Sequence, residues 1–265
     1  MKKGVKILYE LERMRKEIDQ YDKSLVEIIE KRLETVLDIL KYKQEKGLPI
    51  QHPQREHDVI EKTTSYLRNP EFSIEIQELF KEIMRLSRKR QSQVLFPCNI
   101  VLIGFMGSGK STVGKLLAQQ LEMEYVDMDH YIQEKLGLTI EQIFETYGEE
   151  FFRQHEKETA MELGLLNNTI IVCGGGIILN NENIVNLKRN GKTILLNTEA
   201  EEIYNRIKDD KSRPLLKDKM SVDYIDKLLC QRKSLYLDAA DIIVDTHDKN
   251  IDAICKEIVG TLLRS

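Results

Sequence analysis

One segment, Gly104-Phe-Met-Gly-Ser-Gly-Lys-Ser111, constrains this chain more than any other. It follows the apolar run Ile100, Val101, Leu102, Ile103 and precedes a helical pattern carried by Val113, Leu116, Leu117 and Leu121. A strand, a glycine-rich loop and a helix in that order form the setting that a phosphate-binding loop needs. The glycines let successive N–H groups turn inward toward phosphate oxygens, and the helix N-terminus adds partial positive charge. Lys110 is placed to reach the β- and γ-phosphates, and Ser111 to hold Mg²⁺ through its hydroxyl. A chance glycine-rich turn is the bland alternative, but it would not be flanked by this strand and this helix. The segment predicts that Gly107, Ser108, Gly109, Lys110, Ser111 and Thr112 bind a nucleoside triphosphate.

The chain changes style before this loop. Up to Gln93 only Gly4 and Gly47 are glycine, and helical periodicity dominates. From Val94 onward, short β-rich runs alternate with helical segments: Ile100–Ile103, Tyr125–Val126, Ile170–Val172, Thr193–Leu196 and Ile242–Val244. That alternation signals a parallel sheet wrapped by helices. We expect two domains, 1–93 and 97–265, joined closely at the short connection from Gln91 to Pro97. With 265 residues and 41% hydrophobic content, the chain can bury one large core or two ordinary ones. Charge separates the parts as well. Residues 1–95 hold 20 basic against 17 acidic residues and the remainder 20 against 27, so the net is +3 in the first part and −7 in the second. The acidic second part lacks the electrostatic footprint of a nucleic-acid binder. Cys98, Cys173, Cys230 and Cys255 show no CxxC or metal-ligand spacing, which predicts a reducing compartment. The uncharged stretch Val94–Gly109 is broken by Pro97, Asn99 and three glycines and is too short to span a membrane. A cytoplasmic location without membrane partners is expected.

Several motifs after the loop carry chemistry. The second strand ends Val126-Asp127-Met128-Asp129, where a carboxylate can order Mg²⁺ or accept a substrate proton. Its plain alternative is an acidic turn capping the next helix, which Asp129 could also do. Arg153 and Glu156, in Phe152-Arg-Gln-His-Glu156, lie one helical turn apart. That spacing suits an anionic substrate and a buttressing carboxylate, although alone it reads as an ordinary surface pair. Cys173-Gly174-Gly175-Gly176 follows a buried-looking strand and permits close backbone approach to a ligand. Ser212-Arg213-Pro214 sits in the charged stretch from Lys208 to Lys219, as expected of a mobile lid that carries an arginine to the transferring phosphoryl group. Arg232, followed by Leu235-Tyr236, lies on a later helix.

In this order, over residues 98–265, these motifs closely resemble shikimate kinase. The resemblance implies a five-stranded parallel sheet of the nucleoside monophosphate kinase type, with ATP and shikimate as substrates and Mg²⁺ as cofactor. It implies that Asp129, Arg153, Gly175, Gly176 and Arg232 grip shikimate and that Asp129 activates its 3-hydroxyl. It also implies that Asp127 holds Mg²⁺ through water beside Ser111, that Arg213 is the lid arginine, and that Arg206 stacks on adenine. Physical chemistry agrees: a carboxylate with three hydroxyls needs cationic clamps and one base, and guanidinium binds a carboxylate bidentately. Cys173 is expected as a buried strand residue, because phosphoryl transfer needs no covalent intermediate here. Another small-molecule kinase of this fold, such as a gluconate kinase, is disfavoured by the FRxxE, GGG and RPLL set. A nucleotide switch protein would not turn over ATP faster on addition of shikimate.

Before the seam, the apolar positions Ile7, Leu11, Met14, Ile18, Tyr21, Leu25 and Ile28 alternate in spacings of four and three, followed by Leu33, Val36, Leu37 and Leu40. This predicts one long amphipathic helix over 7–40, then shorter ones over about 54–67 and 73–93. Three helices of such unequal length cannot enclose a core alone, so a partner chain is needed. A coiled-coil arm would account for the periodicity. The cations on this helix point further. Arg32 and Lys43 are three turns apart and share a face. Arg15 lies roughly 100° round from Arg32 and cannot easily serve the same site within one chain. Ser87 and Gln91 are one turn apart on the third helix, and Arg55-Glu56 open the second.

Together these positions resemble the all-helical class of chorismate mutase over residues 7–93, an intertwined homodimer. The reaction is a pericyclic rearrangement of chorismate to prephenate, with no cofactor. The protein must hold the dianion compactly and stabilise charge growing on the ether oxygen. The resemblance implies that Arg15 from the partner, Arg32 and Arg55 bind carboxylates, with Ser87 in support. It gives the ether oxygen to Lys43 and Gln91, and the ring hydroxyl to Glu56. The whole chain then reads as a bifunctional enzyme of aromatic amino-acid biosynthesis. Its competing class is a kinase with a non-catalytic domain that senses chorismate or prephenate, in which Lys43 and Gln91 would have no transition state to serve. One position departs: His52 stands where the family often has an aspartate near the substrate hydroxyl. If the neutral imidazole accepts that hydrogen bond, mutase kcat/KM should fall below about pH 6.5, where histidine gains its proton. A His52→Asp variant should lose this step, and a wild-type profile flat from about pH 5 to 8 would remove His52 from the site.

Overall fold

The computed structural model describes residues 2–46, 53–208 and 221–264. Two expected site residues, His52 and Arg213, lie outside the described residues, as do the Glu56 side chain and most of the expected lid. The chain divides into two compact units, Met1–Gln91 and Ser92–Ser265. The division falls inside a helix where a short connection was expected. No glycine or proline interrupts Gln91 to Leu95, and the first breaker is Pro97.

In the first unit, α1 (Lys2–Lys46) has 45 residues, about 68 Å at 1.5 Å per residue. It outruns the 7–40 apolar stripe at its C-terminal end because helix formers continue through Lys41–Lys46, with Gly47 and Pro49 as the next breakers in the sequence. Helix α2 (Pro53–Thr64) ends three residues short of the expected Leu67. There the hydroxyls of Thr63, Thr64 and Ser65 fold back onto the carbonyls of Ile60, Glu61 and Lys62 at 2.9, 2.7 and 2.7 Å and compete with the helical ladder. Asn69 caps a 3-10 turn at Pro70–Phe72 by accepting from the Glu71 N–H, and α3 (Ser73–Leu95) follows. Among the described residues before Ser92, the buried apolar side chains are Leu40 and Met84. The stripe from Ile7 to Ile28 is open, with Ile7 63% and Ile28 61% exposed.

The second unit contains β1 (Asn99–Ile103), β2 (Glu124–Asp127), β3 (Thr169–Val172), β4 (Gly191–Asn197) and β5 (Ile242–Asp245). All pair in parallel, in the order β2-β3-β1-β4-β5. The helices between them are α4 (Lys110–Leu121), α5 (Met128–Leu136), α6 (Ile140–Leu163), α7 (Asn181–Lys188), α8 (Ala200–Ile207) and α9 (Val222–Ala239), and α10 (Ile251–Leu262) closes the chain. Strand alternation sends successive β1 side chains to opposite faces. Ile100 and Leu102 pack with Val113 and Leu117 of α4 and Ile254 and Ile258 of α10. Val101 and Ile103 pack with residues of α6, α7, α8 and α9. Both faces of the sheet are therefore covered at its centre, which is why β1 and β3 read as apolar runs. Asn99 is fully buried at the base of β1; it accepts from the Thr169 N–H at 3.1 Å and donates to the Leu166 carbonyl at 2.8 Å.

Two backbone features aim the site. Thr139 and Gln142 form a reciprocal capping box at the start of α6. Gly148 then leaves helical geometry (φ 81°, ψ 175°), so Glu149 begins a fresh helical segment and Arg153 projects from its second turn. No helix among the described residues is long and apolar enough to cross a membrane.

Candidate active site

The phosphate loop leaves β1 at Ile103 and enters α4 at Lys110. Gly109, at φ 93°, is the residue before the helix and turns the chain without a side-chain cap, so the first N–H groups of α4 remain available to an anion. Lys110 is 8% exposed, and its ammonium donates to the Gly104 and Phe105 carbonyls, both at 2.9 Å. Loop and lysine are thereby preformed around a cavity of about 430 Å³ that Gly107, Ser111, Thr112, Asp127, Asp129 and Arg206 also line. Arg206 pairs with Glu202 and donates to the Gly107 carbonyl at 3.3 Å, which lays its guanidinium across the loop.

The helix cap at the end of β2 is Asp127, while Asp129 falls in the first turn of α5. One Asp127 oxygen accepts from the N–H groups of Asp129 and His130, at 3.1 and 3.4 Å. The other accepts from the Ser111 hydroxyl at 3.2 Å and faces the Tyr125 hydroxyl at 3.4 Å. Burial, reinforced by the Asp127 charge, pushes the Tyr125 phenol up to about 12, so it stays a neutral donor. A hydroxyl and a carboxylate facing each other in a phosphate cavity fit a divalent cation that takes its remaining ligands from phosphate and water. Among the described residues no group of three or more His, Cys, Asp or Glu could hold a metal.

A second cavity, of about 550 Å³, adjoins the first; Met106, Asp129, Gly174 and Gly175 line both. It also takes in Arg153, Glu156, Gly176 and Arg232, together with Phe144 and Phe152. Arg153 Nη1 reaches both Glu156 oxygens, at 3.1 and 2.9 Å. Its Nε and Nη2 reach one Glu149 oxygen, at 3.2 and 2.9 Å. Burial opposes the Arg153 charge, but the two carboxylates outweigh it and raise its pKa. Burial likewise raises the Glu156 pKa, against the pull of Arg153. The Arg232 guanidinium lies 6.0 Å from the Phe105 ring centroid. Burial drives the Cys173 thiol well above its ordinary value, which suits a packing residue and not a nucleophile.

The three glycines after β3 each meet a different part of this site. A Cβ on Gly174 would stand 2.7 Å from Asp129 Oδ1, one on Gly175 3.2 Å from the Met106 backbone nitrogen, and one on Gly176 2.5 Å from Arg153 Nη1. A third cavity, of about 660 Å³, lies between β4, α8 and α9 and contains none of the phosphate-loop glycines or site arginines.

In the helical unit, Arg32 Nη1 donates to Ser87 Oγ at 2.7 Å, and Ser87 donates to the Ile83 carbonyl at 2.7 Å. Gln91 lies one turn beyond, with its amide 3.4 Å from the Val36 carbonyl. Burial lowers the Arg32 pKa, yet an arginine stays charged at neutral pH. Lys43 is half-buried farther along α1, and Arg55 is exposed on α2. Arg15 is exposed, pairs with Glu12 at 3.0 Å, and lies about 26 Å from Arg32 along the helix. Arg32, Ser87 and Gln91 are thus brought together, and Arg15 is not. Sequence reasoning assigned no role to Glu149 or Tyr236, although each stands four residues from a predicted arginine, a spacing that could have found them.

A five-stranded parallel sheet with a phosphate loop after its central strand, and a carboxylate shared by two cavities, defines a P-loop kinase acting on a small molecule. The chain belongs to the shikimate kinase family, whose family model matches residues 106–263. Residues 14–92 match the chorismate mutase type II family model, so the chain joins a domain of each kind. The shikimate kinase of Caldanaerobacter subterraneus subsp. tengcongensis is 40% identical over 166 residues, covering 63% of this chain and 96% of that protein. The structure of the shikimate kinase from Acinetobacter baumannii in complex with shikimate aligns with a TM-score of 0.62 at 35% identity, over 65% of this chain and 97% of that one. For the shikimate kinase from Aquifex aeolicus the TM-score is 0.55 at 40% identity, over 63% and 96%.

The Gly174 contact sets the first test of the site. Gly174→Ala should push Asp129 aside and lower shikimate-dependent kcat by about 10- to 100-fold, with mutase activity unchanged. An unaltered kcat would show that this contact does not place Asp129.

Proposed function

We propose that Asp129, at the junction of the two cavities, is the residue on which the kinase reaction turns. The chain carries two activities, phosphorylation of the shikimate 3-hydroxyl by ATP and rearrangement of chorismate to prephenate. Asp129 is the observation that carries the kinase mechanism, because a base must touch the acceptor hydroxyl while that hydroxyl faces the γ-phosphoryl group. The phosphate loop and Lys110 bind the triphosphate, with Arg206 against the nucleotide. Mg²⁺ held beside Ser111 and Asp127 would neutralise charge on the phosphates. Arg153 and Arg232 hold the shikimate carboxylate, while Glu156 keeps Arg153 in place and the glycine loop lets the ring sit close to Asp129. Asp129 accepts the hydroxyl proton as the new O–P bond forms and the bond to the ADP oxygen breaks. Arg213 belongs to this set by resemblance and lies outside the described residues. The four cysteines of the chain, all unpaired, suit the reducing interior of a cell.

In the helical unit, Arg32 and Ser87 are read as carboxylate ligands and Lys43 and Gln91 as donors to the ether oxygen, with Arg55 and Glu56 from α2. We read the open stripe from Ile7 to Ile28 as the surface of a homodimer. Burying an apolar side chain of this size contributes about 1.5–3 kcal/mol, so an unpaired stripe forgoes a large stabilisation. The same pairing would carry Arg15 into the partner's site.

Two assays on one preparation test the kinase assignments: ADP release with shikimate, and chorismate loss. Lys110→Ala should reduce phosphoryl transfer about 100-fold or more and leave the mutase untouched. Arg153→Ala should cost roughly 2–3 kcal/mol in kcat/KM for shikimate and little in ATP affinity. Loss of both activities together in folded protein would refute independent sites.

Mixing tests the dimer. Arg15→Ala and Arg32→Ala homodimers should each be nearly inactive as mutases. After random exchange half the dimers are mixed, each with one intact site, so about a quarter of wild-type activity should return. Mixtures that stay inactive after confirmed exchange would show that Arg15 acts within its own chain, or that the mutase half is not an intertwined dimer.

A further inference from the structure

Tyr236 lies on α9 one turn after Arg232, and it is 4% exposed within the apolar cluster that includes Phe105, Ile177 and Ala239. Its hydroxyl donates to the Gly175 carbonyl at 2.6 Å. The Arg232 guanidinium faces the Tyr236 hydroxyl oxygen from one turn earlier in the helix. One phenol therefore touches the middle of the glycine loop and an arginine that lines the same cavity. Burial raises its pKa, so it remains a protonated donor over the working range.

We propose that Tyr236 is a positioning residue for substrate: it ties the glycine loop to Arg232 and fixes the distance between the two halves of the shikimate grip. The inference rests on the reading of Gly175, Gly176 and Arg232 as that grip. The geometry leaves the loop little freedom of its own. Gly174 and Gly176 are already in close approach to Asp129 and Arg153, and Gly175 to the phosphate-loop backbone. A short hydrogen bond in apolar surroundings is strong, and the Gly175 carbonyl accepts it on the side facing α9. The Gly174 and Gly176 carbonyls accept from the Ile177 and Leu179 N–H groups within the loop itself, at 3.2 and 3.0 Å; without the phenol the Gly175 carbonyl would lose its tie to α9, and Arg232 would lose the neighbour that orients its fork. A tyrosine that merely filled the core would behave otherwise, because its ring alone would account for its contribution.

Tyr236→Phe separates the two cases, since it keeps the ring and removes the hydroxyl. The expected result is a rise in KM for shikimate of about three- to tenfold, with KM for ATP unchanged. A core role would lower the melting temperature and leave both KM values alone; that result, or an equal rise in both, overturns the proposal. The same substitution on an Arg232→Ala background should raise KM by a smaller factor than in wild type, because part of what Tyr236 orients is gone. Fully additive losses would also overturn it. Arg232→Ala alone addresses the underlying reading: if shikimate KM does not rise there, the grip is misassigned and not only the tyrosine.

Discussion

The Asp127 carboxylate joins the parts of the kinase unit. One oxygen closes the N-terminus of α5 and so holds Asp129 in that helix's first turn; the other meets Ser111 at the start of α4. A charged acceptor on backbone N–H groups is among the stronger hydrogen bonds available to a protein. It also places negative charge where the helix dipole favours it. The spacing between the phosphate loop and the proposed base follows from this double attachment and not from Asp129 itself.

Close approach completes the site from the other side. The glycine loop after β3 passes within contact distance of Asp129, the phosphate-loop backbone and Arg153, and at two of its three glycines a β-carbon would fall under 3.0 Å from a polar atom. The cations of the site are paired within the chain: Arg153 with Glu149 and Glu156, Arg206 with Glu202, Lys110 with loop carbonyls. Such pairing avoids the cost of burying lone charges and preorganises the donors that will meet anionic groups. It also leaves Arg153 with two acidic partners, of which Glu149 is the exposed one and Glu156 the buried one.

The helical unit is governed by a different constraint. Its three helices bury few side chains, and α1 presents apolar residues along much of its length. Arg32 nevertheless holds a defined contact with Ser87 across α1 and α3. A polar contact between α1 and α3 is thus built within one chain, although the core that would stabilise so long a helix is not. Kinase and mutase units therefore stand at opposite ends of one balance, the first with two apolar layers packed on its sheet and the second with most of its apolar surface open.

Periodicity and local chemistry made much of this legible in advance. The five strands appear where the short apolar runs lie, because a sheet covered on both faces requires such runs. The phosphate loop could be read because its glycines and lysine act through their own backbone and neighbours. The long helix, and the pairing of Arg153 with Glu156, followed from spacing along one helix. What lies between elements was not legible. That Asp127 caps α5 in place of Asp129 depends on where β2 stops. The seam at Gln91–Leu95 is helical because nothing there breaks a helix, and α2 ends early because three hydroxyls turn onto its carbonyls. Glu149 reaches Arg153 one turn along the helical segment that follows Gly148, a spacing present in the sequence, whereas Tyr236 acquires its meaning only from what the fold sets against it, the Gly175 carbonyl 61 positions away. By itself the sequence determined which segments form strands and helices and where phosphate can bind, since those depend on residues close in the chain. Only the tertiary structure decided which carboxylate caps α5, which lines both cavities and which side chain meets the Gly175 carbonyl, since those depend on distances between residues that the chain order leaves free.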